Sequence, residues 1–312
     1  MRDHFIIGSR GSKLALWQAE WVKSQLAELR PGTEIRIQII KTSGDVMRDV
    51  PLAIIGGKGV FTKELEEALL AEEIDLAVHS LKDLPTTLPD DLSITAITER
   101  EDAHDALILP ESAADERASL AGLRHGAIVG TSSLRRQAQL RHLRPDVVIK
   151  DLRGNVDTRL RKLDEGGYDA IILASAGLRR LGLGHRINAS ISPAEMLPAV
   201  GQGALGIETR ARDERTSALV SLLEHAPTRA ACTAERTLLY ALGGGCQIPI
   251  AAHAVVHDNT LHLEALVAAM SGETVLRDTI EDEPQHAARA GETIAARLRE
   301  RGAAALLEGL TV

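Results

Sequence analysis

Residues 127–173 read AIVGTSSLRRQAQLRHLRPDVVIKDLRGNVDTRLRKLDEGGYDAIIL, and their periodicity decides the fold class. Short apolar runs at 127–130, 147–150 and 170–173 predict strands, and the stretches between them, 134–143 and 156–163, carry helical patterns. Strand and helix in alternation imply parallel βαβ units with right-handed crossovers. The same alternation precedes this stretch. A strand is expected at 5–8, then a helix from about Ser12, whose hydroxyl suits an N-cap. Leu14, Trp17 and Trp21 share one face of that helix, with Leu26 nearby, and are expected to pack on a sheet. Pro31-Gly32 ends the helix, and Ile35, Ile37 and Ile39 alternate with polar residues as a strand does. A helix over 64–70 and a strand over 74–78 complete a first α/β block. After the second block the pattern changes. A helix over 228–242, strands over 248–256, 260–268 and 274–280, and a helix over 285–301 suggest a small α+β domain with an antiparallel sheet. The expected fold is therefore α/β: two doubly wound domains and a small α+β C-terminal domain.

Composition narrows the function. The 312 residues carry a formal net charge of -8 and 2% aromatics. Net negative charge disfavours generic binding to DNA or anionic membrane, and so few aromatics leave no base-stacking platform. No run approaches the ~18 apolar residues of a membrane span. Two cysteines, Cys232 and Cys246, give neither a disulfide framework nor a zinc spacing, so no metal site is expected. No long apolar signal core opens the sequence, and a soluble, cytoplasmic protein is the expectation. Charge is unevenly spread, however. Residues 124–180 hold ten Arg and two Lys against six Asp and Glu. Arginine's planar fork of donors matches carboxylates, so this excess suits a small polyanion better than a merely solvated face.

Ligands of doubly wound sheets sit beyond the carboxyl ends of the strands. Ser9-Arg10, the run from His79 to Asp83, Thr131 to Arg136, and Arg153 all fall at such ends. Thr131-Ser132-Ser133 offers hydroxyls and backbone N–H groups at a helix start. Arg135 and Arg136 follow in the first turn, where cations oppose the helix dipole unless an anion compensates them. Lys82 and Asp83 are delivered to a ligand edge by an apolar strand, where a carboxylate can hold an N–H or a developing cation. His79 alone is more often a buried, satisfied histidine than a catalyst. Two glycine motifs fail as nucleotide sites. In the run from Gly201 to Gly206 a strand-like segment follows where the dinucleotide fingerprint needs a helix, and Lys58 precedes Gly59 where a phosphate loop needs Ser or Thr. Gly243-Gly244-Gly245-Cys246 places a cysteine on a bare loop, which suits covalent attachment of a small molecule, whereas Cys232 sits in a helical pattern and reads as core.

Together these segments resemble the porphobilinogen deaminase family over essentially the whole chain. The matching stretches run from Gly8 to Ala15, Lys41 to Asp45, Gly56 to Phe61, Ala77 to Asp83, Gly130 to Arg136, Leu152 to Val156, Pro198 to Gly203 and Gly244 to Cys246. The resemblance implies three domains, the first two similar to type II periplasmic binding proteins, with limits at 1–98 with 199–217, 103–196 and 222–312. It implies a transferase of tetrapyrrole (porphyrin and haem) biosynthesis. Such an enzyme condenses four porphobilinogen molecules head to tail into hydroxymethylbilane and releases ammonia. It implies a dipyrromethane cofactor joined by a thioether to Cys246, and Asp83 as the catalytic carboxylate. Arg10, Arg135, Arg136, Arg153, Arg159 and Arg180 fall at positions that bind acetate and propionate groups, and Ser12, Lys82 and Ser133 at further polar contacts. Lys58 and Phe61 fall on the family's mobile loop. The family suggests a monomer. The competing expectation is a non-catalytic, hinged two-lobe module that binds anions. It leaves Cys246 and the third domain without a role, and an exported receptor would need a signal peptide.

Overall fold

The computed structural model describes residues 4–43, 61–113, 118–245 and 248–308. In chain order these form β1 (His4–Ser9), α1 (Lys13–Leu29), β2 (Glu34–Ile39), α2 (Lys63–Leu70), β3 (Leu76–Ser80), β4 (Leu92–Ile97), β5 (Asp105–Ile108) and β6 (Ile128–Gly130). They continue with α3 (Leu134–Leu143), β7 (Val148–Lys150), α4 (Val156–Lys162), β8 (Ala170–Ala174), α5 (Ser175–Arg180), β9 (Ala189–Ile191), β10 (Leu205–Arg210) and α6 (Glu214–Val220). The last elements are α7 (Ala226–Ala241), β11 (Ile250–His257), β12 (Thr260–Ala268), β13 (Val275–Asp282), α8 (Ala287–Glu300) and α9 (Ala303–Leu307).

Three sheets result, with strand orders β2-β1-β3-β10-β4, β7-β6-β8-β5-β9 and β11-β12-β13. The first two share one plan. Three parallel strands lie side by side, then an antiparallel strand, then a last strand antiparallel to that one. Both large sheets are thus mixed, parallel over three strands and antiparallel over the last two. The chain divides into two compact units, Met1–Glu101 with Ala204–Arg229, and Asp102–Gly203 with Ala230–Val312.

In the first unit, α1 begins where Ser12 Oγ accepts a hydrogen bond from Ala15 N at 3.2 Å. Its buried face is Ala19, Val22 and Leu26, which pack with Ile7, Leu76, Val78 and Ile207 of the sheet. Trp21 is only partly covered and Trp17 is exposed, so the expected tryptophan face is displaced by about one position. Gln18 takes the buried place because its amide donates to Ser80 Oγ at 2.8 Å. On the other face of the sheet, Leu65, Ala68 and Leu69 of α2 pack with Ile74, Ala77 and Leu92.

The second unit holds the other two sheets. Arg141 on α3 donates to Met270 O at 2.7 Å, and His142 Nδ1 lies 2.9 Å from Gly272 O. Arg277 on β13 donates at 2.8 Å to the carbonyls of Pro193 and Ala194. Gly272 has φ +79°, and a Cβ there would lie 2.6 Å from His142 N, so the turn and the helix touch only because the residue is glycine. The third sheet is covered by α7, α8 and α9, whose Leu238, Ile294, Leu298 and Leu307 close over Ala252, Leu263 and Val267. Cys232 on α7 is fully buried.

Candidate active site

In the first unit the ends of β1 and β3 open into one cleft of about 70 Å³, lined among others by Arg10, Ser12, Gln18, Phe61, His79, Ser80 and Asp83. β3 runs into a single tight turn over Leu81–Asp83. Leu81 and Leu84 are almost fully buried and anchor that turn, and Leu81 N donates to Ala204 O at 3.0 Å. A Cβ at Gly206 would lie 2.9 Å from Leu81 and 3.1 Å from Leu84, so the bare backbone of β10 makes the space both leucines fill. With its neighbours on both sides held in the core, Asp83 is left exposed and Lys82 half-buried. The Arg10 guanidinium stacks over the Phe61 ring, 4.1 Å from its centroid. A stacked guanidinium keeps its charge and its in-plane donors. Behind the cleft wall, His79 Nε2 lies 3.0 Å from Glu208 Oε2.

In the second unit the arginines divide into two groups. Arg135 and Arg136 are buried and converge on Asp105, which has no exposure at all. Arg135 Nη1 donates to Asp105 Oδ2 at 2.8 Å and to Leu197 O at 2.7 Å. Arg136 Nη2 donates to Asp105 Oδ1 at 2.7 Å and its Nη1 to Ile172 O at 3.1 Å. Gln202, also buried, donates to Asp105 Oδ1 at 2.8 Å. Burial alone would raise the Asp105 carboxyl; the charges of Arg135 and Arg136 outweigh it and hold the group well below the usual carboxylate range. The anion that compensates two cations in the first turn of α3 is thus a side chain of the protein. One carboxylate serves two guanidiniums, and the Nε atoms of Arg135 and Arg136 are buried without a hydrogen-bond partner among the described residues.

Arg153, Arg159 and Arg180 form the second group and are half-buried. Arg159 Nε donates to Gly154 O at 2.7 Å, and Gly154 has φ +115°, a backbone that side chains resist. Arg180 Nη2 donates to Gly203 O at 2.6 Å. Ser133 caps α3, its Oγ accepting from Arg136 N. Gly201 and Gly203 have positive φ and Gly206 lies inside β10, so the glycines of that motif shape a turn into a strand. The structure therefore brings Arg10, Ser12, Phe61 and Asp83 together in one cleft. It places Ser133, Arg135 and Arg136 at the start of α3 after β6, Arg153 in the loop after β7, Arg159 on α4 and Arg180 at the end of α5. Lys58 and Cys246 lie outside the described residues. Asp105, Gln202 and Glu208 were not expected at either place. The only signal for Asp105 was an acidic residue opening an apolar run, and its arginine partners lie 30 and 31 positions on.

Among the described residues no helix is long and apolar enough to cross a membrane. Residues 5–218 match the family model described as "Porphobilinogen deaminase, dipyromethane cofactor binding domain", and residues 229–300 match "Porphobilinogen deaminase, C-terminal domain". The chain is 50% identical over 302 residues to the porphobilinogen deaminase of Pelobacter propionicus, covering 97% of this chain and 96% of that one. It is 51% identical over 307 residues to that of Nitratidesulfovibrio vulgaris strain Hildenborough, with 98% and 96% covered. Among solved structures it is similar to the VFT2 domain of Bordetella pertussis BvgS, at 12% identity and a TM-score of 0.41, over 70% of this chain and 86% of that one. On the two family models, which between them account for both described sheets of the α/β part and the C-terminal sheet, the chain belongs to the porphobilinogen deaminase family.

Proposed function

We propose that this chain is a transferase that condenses four porphobilinogen molecules head to tail into hydroxymethylbilane, with release of ammonia, in tetrapyrrole biosynthesis. The observation that carries the reading is Asp83, an exposed carboxylate on an anchored turn, sharing one cleft with the stacked cation of Arg10. A methylene-pyrrole cation forms when ammonia leaves porphobilinogen. Asp83 is suited to hold the pyrrole N–H and to stabilise that charge. Arg10 and Ser12 are suited to hold substrate carboxylates in the same cleft, and Lys82 adds a donor from the turn.

The residues fit a dipyrromethane, which carries several carboxylates. The Arg135–Arg136–Asp105 cluster has one cation in excess, and two of its buried N–H donors have no partner among the described residues. With Ser133, Arg153, Arg159 and Arg180 it forms the donor set that would hold such a group, attached through a thioether to Cys246. When bound, the cofactor supplies the nucleophilic pyrrole from which the chain grows. The domain limits 1–98 with 199–217, 103–196 and 222–312, a monomeric state and a cytoplasmic location belong to the same reading. Against a non-catalytic anion-binding module stands the match over residues 229–300, for which such a module has no use.

Intact mass is the test. The wild type should exceed its chain mass by two linked pyrrole units, and Cys246→Ser should not. A wild type that turns over porphobilinogen at bare chain mass would refute the covalent primer.

A further inference from the structure

His79 and Glu208 form a buried ionisable pair that the proposed chemistry has not yet used. β10 sets Gly206 opposite His79 and Glu208 opposite Ala77. Residues directly across and two along share a sheet face, so the Glu208 side chain reaches the ring. Nε2 of His79 lies 3.0 Å from Oε2 of Glu208, and the two side chains are 5% and 0% exposed. Glu208 Oε1 has no hydrogen-bond partner among the described residues, nor has Oε1 of Glu66, on the helix α2 that packs against β3 and β10. Burial, reinforced by the charge of Glu208, pushes the Glu66 carboxyl above the ordinary range, against the pull of Thr62 and His79. Two carboxyls, Glu208 buried and Glu66 half-buried, thus stand near the His79 ring, each with a buried oxygen that no described donor meets. His79 is the member on the cleft wall, in company with Asp83, Ser80 and Arg10.

Resting on the function proposed above, we propose that His79 is the proton donor to the amine that leaves the incoming porphobilinogen, and that Glu208 and Glu66 are positioning residues that keep its ring charged and aimed at the cleft. In that step the aminomethyl C–N bond breaks and its electron pair goes to nitrogen. The imidazolium proton goes to the same nitrogen, and ammonia leaves beside a neutral His79. The positive charge passes from the ring to the methylene-pyrrole, where Asp83 meets it, so total charge is unchanged. Solvent then restores the proton. The charged groups around His79 are Glu208 from β10 and Glu66 from α2, with Arg10 from the end of β1 and Asp83 from the turn after β3 lining the same cleft.

The test follows ammonia release by the holoenzyme against pH, beside an NMR titration of the His79 Cε1–H. A proton donor gives a limb of kcat that falls as pH rises. His79→Gln should lower kcat by about 10²–10³ with KM within about threefold, and should abolish the limb. Glu208→Gln removes a carboxylate, weakens the ring's hold on its proton and should move the limb down by about one pH unit or more. The wild-type resonance should titrate with the midpoint of the limb and move down in Glu66→Gln, a half-buried position that can accept an amide even if His79→Gln fails to fold. A limb that survives in His79→Gln, or a His79 midpoint that Glu66→Gln leaves in place, overturns the proposal. Intact mass separates the two levels. If the wild type carries its pyrrole units and releases ammonia while His79→Gln behaves normally, only the role of His79 falls. If the wild type does neither, the function falls and takes this role with it.

Discussion

Removing the carboxylate of Asp83 should lower turnover by about 10²–10³ or more, the usual cost of losing one preorganised electrostatic group. Because the flanking Leu81 and Leu84 hold the turn without it, Asp83→Ala should keep its fold and its pyrrole mass. Near-normal ammonia release by that variant would remove Asp83 from the mechanism. Asp105 makes the opposite case, a carboxylate whose loss is felt in stability. Asp105→Ala leaves two buried guanidiniums facing each other and should cost about 3–5 kcal/mol in denaturant unfolding. The pH dependence has a definite sign. Its carboxyl is held below the ordinary value of about 3.9, so its contribution is complete above about pH 4 and is lost as pH falls further toward the folded-state value. Stability of the wild type should decline below about pH 4 more steeply than that of Asp105→Asn, and parallel curves would show that Asp105 does not govern the acid limb. Asp83 stood out in the sequence because an apolar strand points it at a ligand edge. Asp105 did not, because its arginine partners lie about thirty positions away and only folding joins them.

The turn at Gly272 shows how little separates two elements. A side chain there meets the backbone of α3 at 2.6 Å and also has to adopt φ +79°. Gly272→Ala should therefore cost about 1–3 kcal/mol from the backbone conformation alone, and more from the contact, measured as a shift in the unfolding midpoint. A change within about 0.5 kcal/mol would mean that the turn can move away freely. Long periodic elements were legible in the sequence: α3 and β12 fall where the apolar spacing puts them, and Ser12 does cap α1. Short or unpatterned ones were not. β5 is four residues without alternation and β9 is three, and neither can be told from loop by periodicity. The buried face of α1 was misread because a glutamine, satisfied by Ser80, occupies a place that hydrophobicity alone would give to tryptophan.

At the scale of the whole molecule, the α/β and α+β blocks were legible from the change in pattern after the second block. The antiparallel strand in each large sheet was not, because direction depends on which partner a strand finds. The second unit holds two sheets joined through α3, so Gly272→Ala should speed amide exchange in β6–β8 and β11–β13 together while leaving β1–β3 unchanged. Faster exchange in β11–β13 alone would show that the two sheets open independently.

β10 lies between β3 and β4, yet it follows every strand of the second sheet in sequence. Among the described strands β4 pairs only with β10, so a nascent chain that has released Ile97 carries that strand edge unprotected until Arg210 emerges. At typical synthesis speeds of 5–20 residues per second the wait is on the order of ten seconds. The N-terminal half of this protein, though made first, is completed only after the ribosome has delivered the strands of its neighbour.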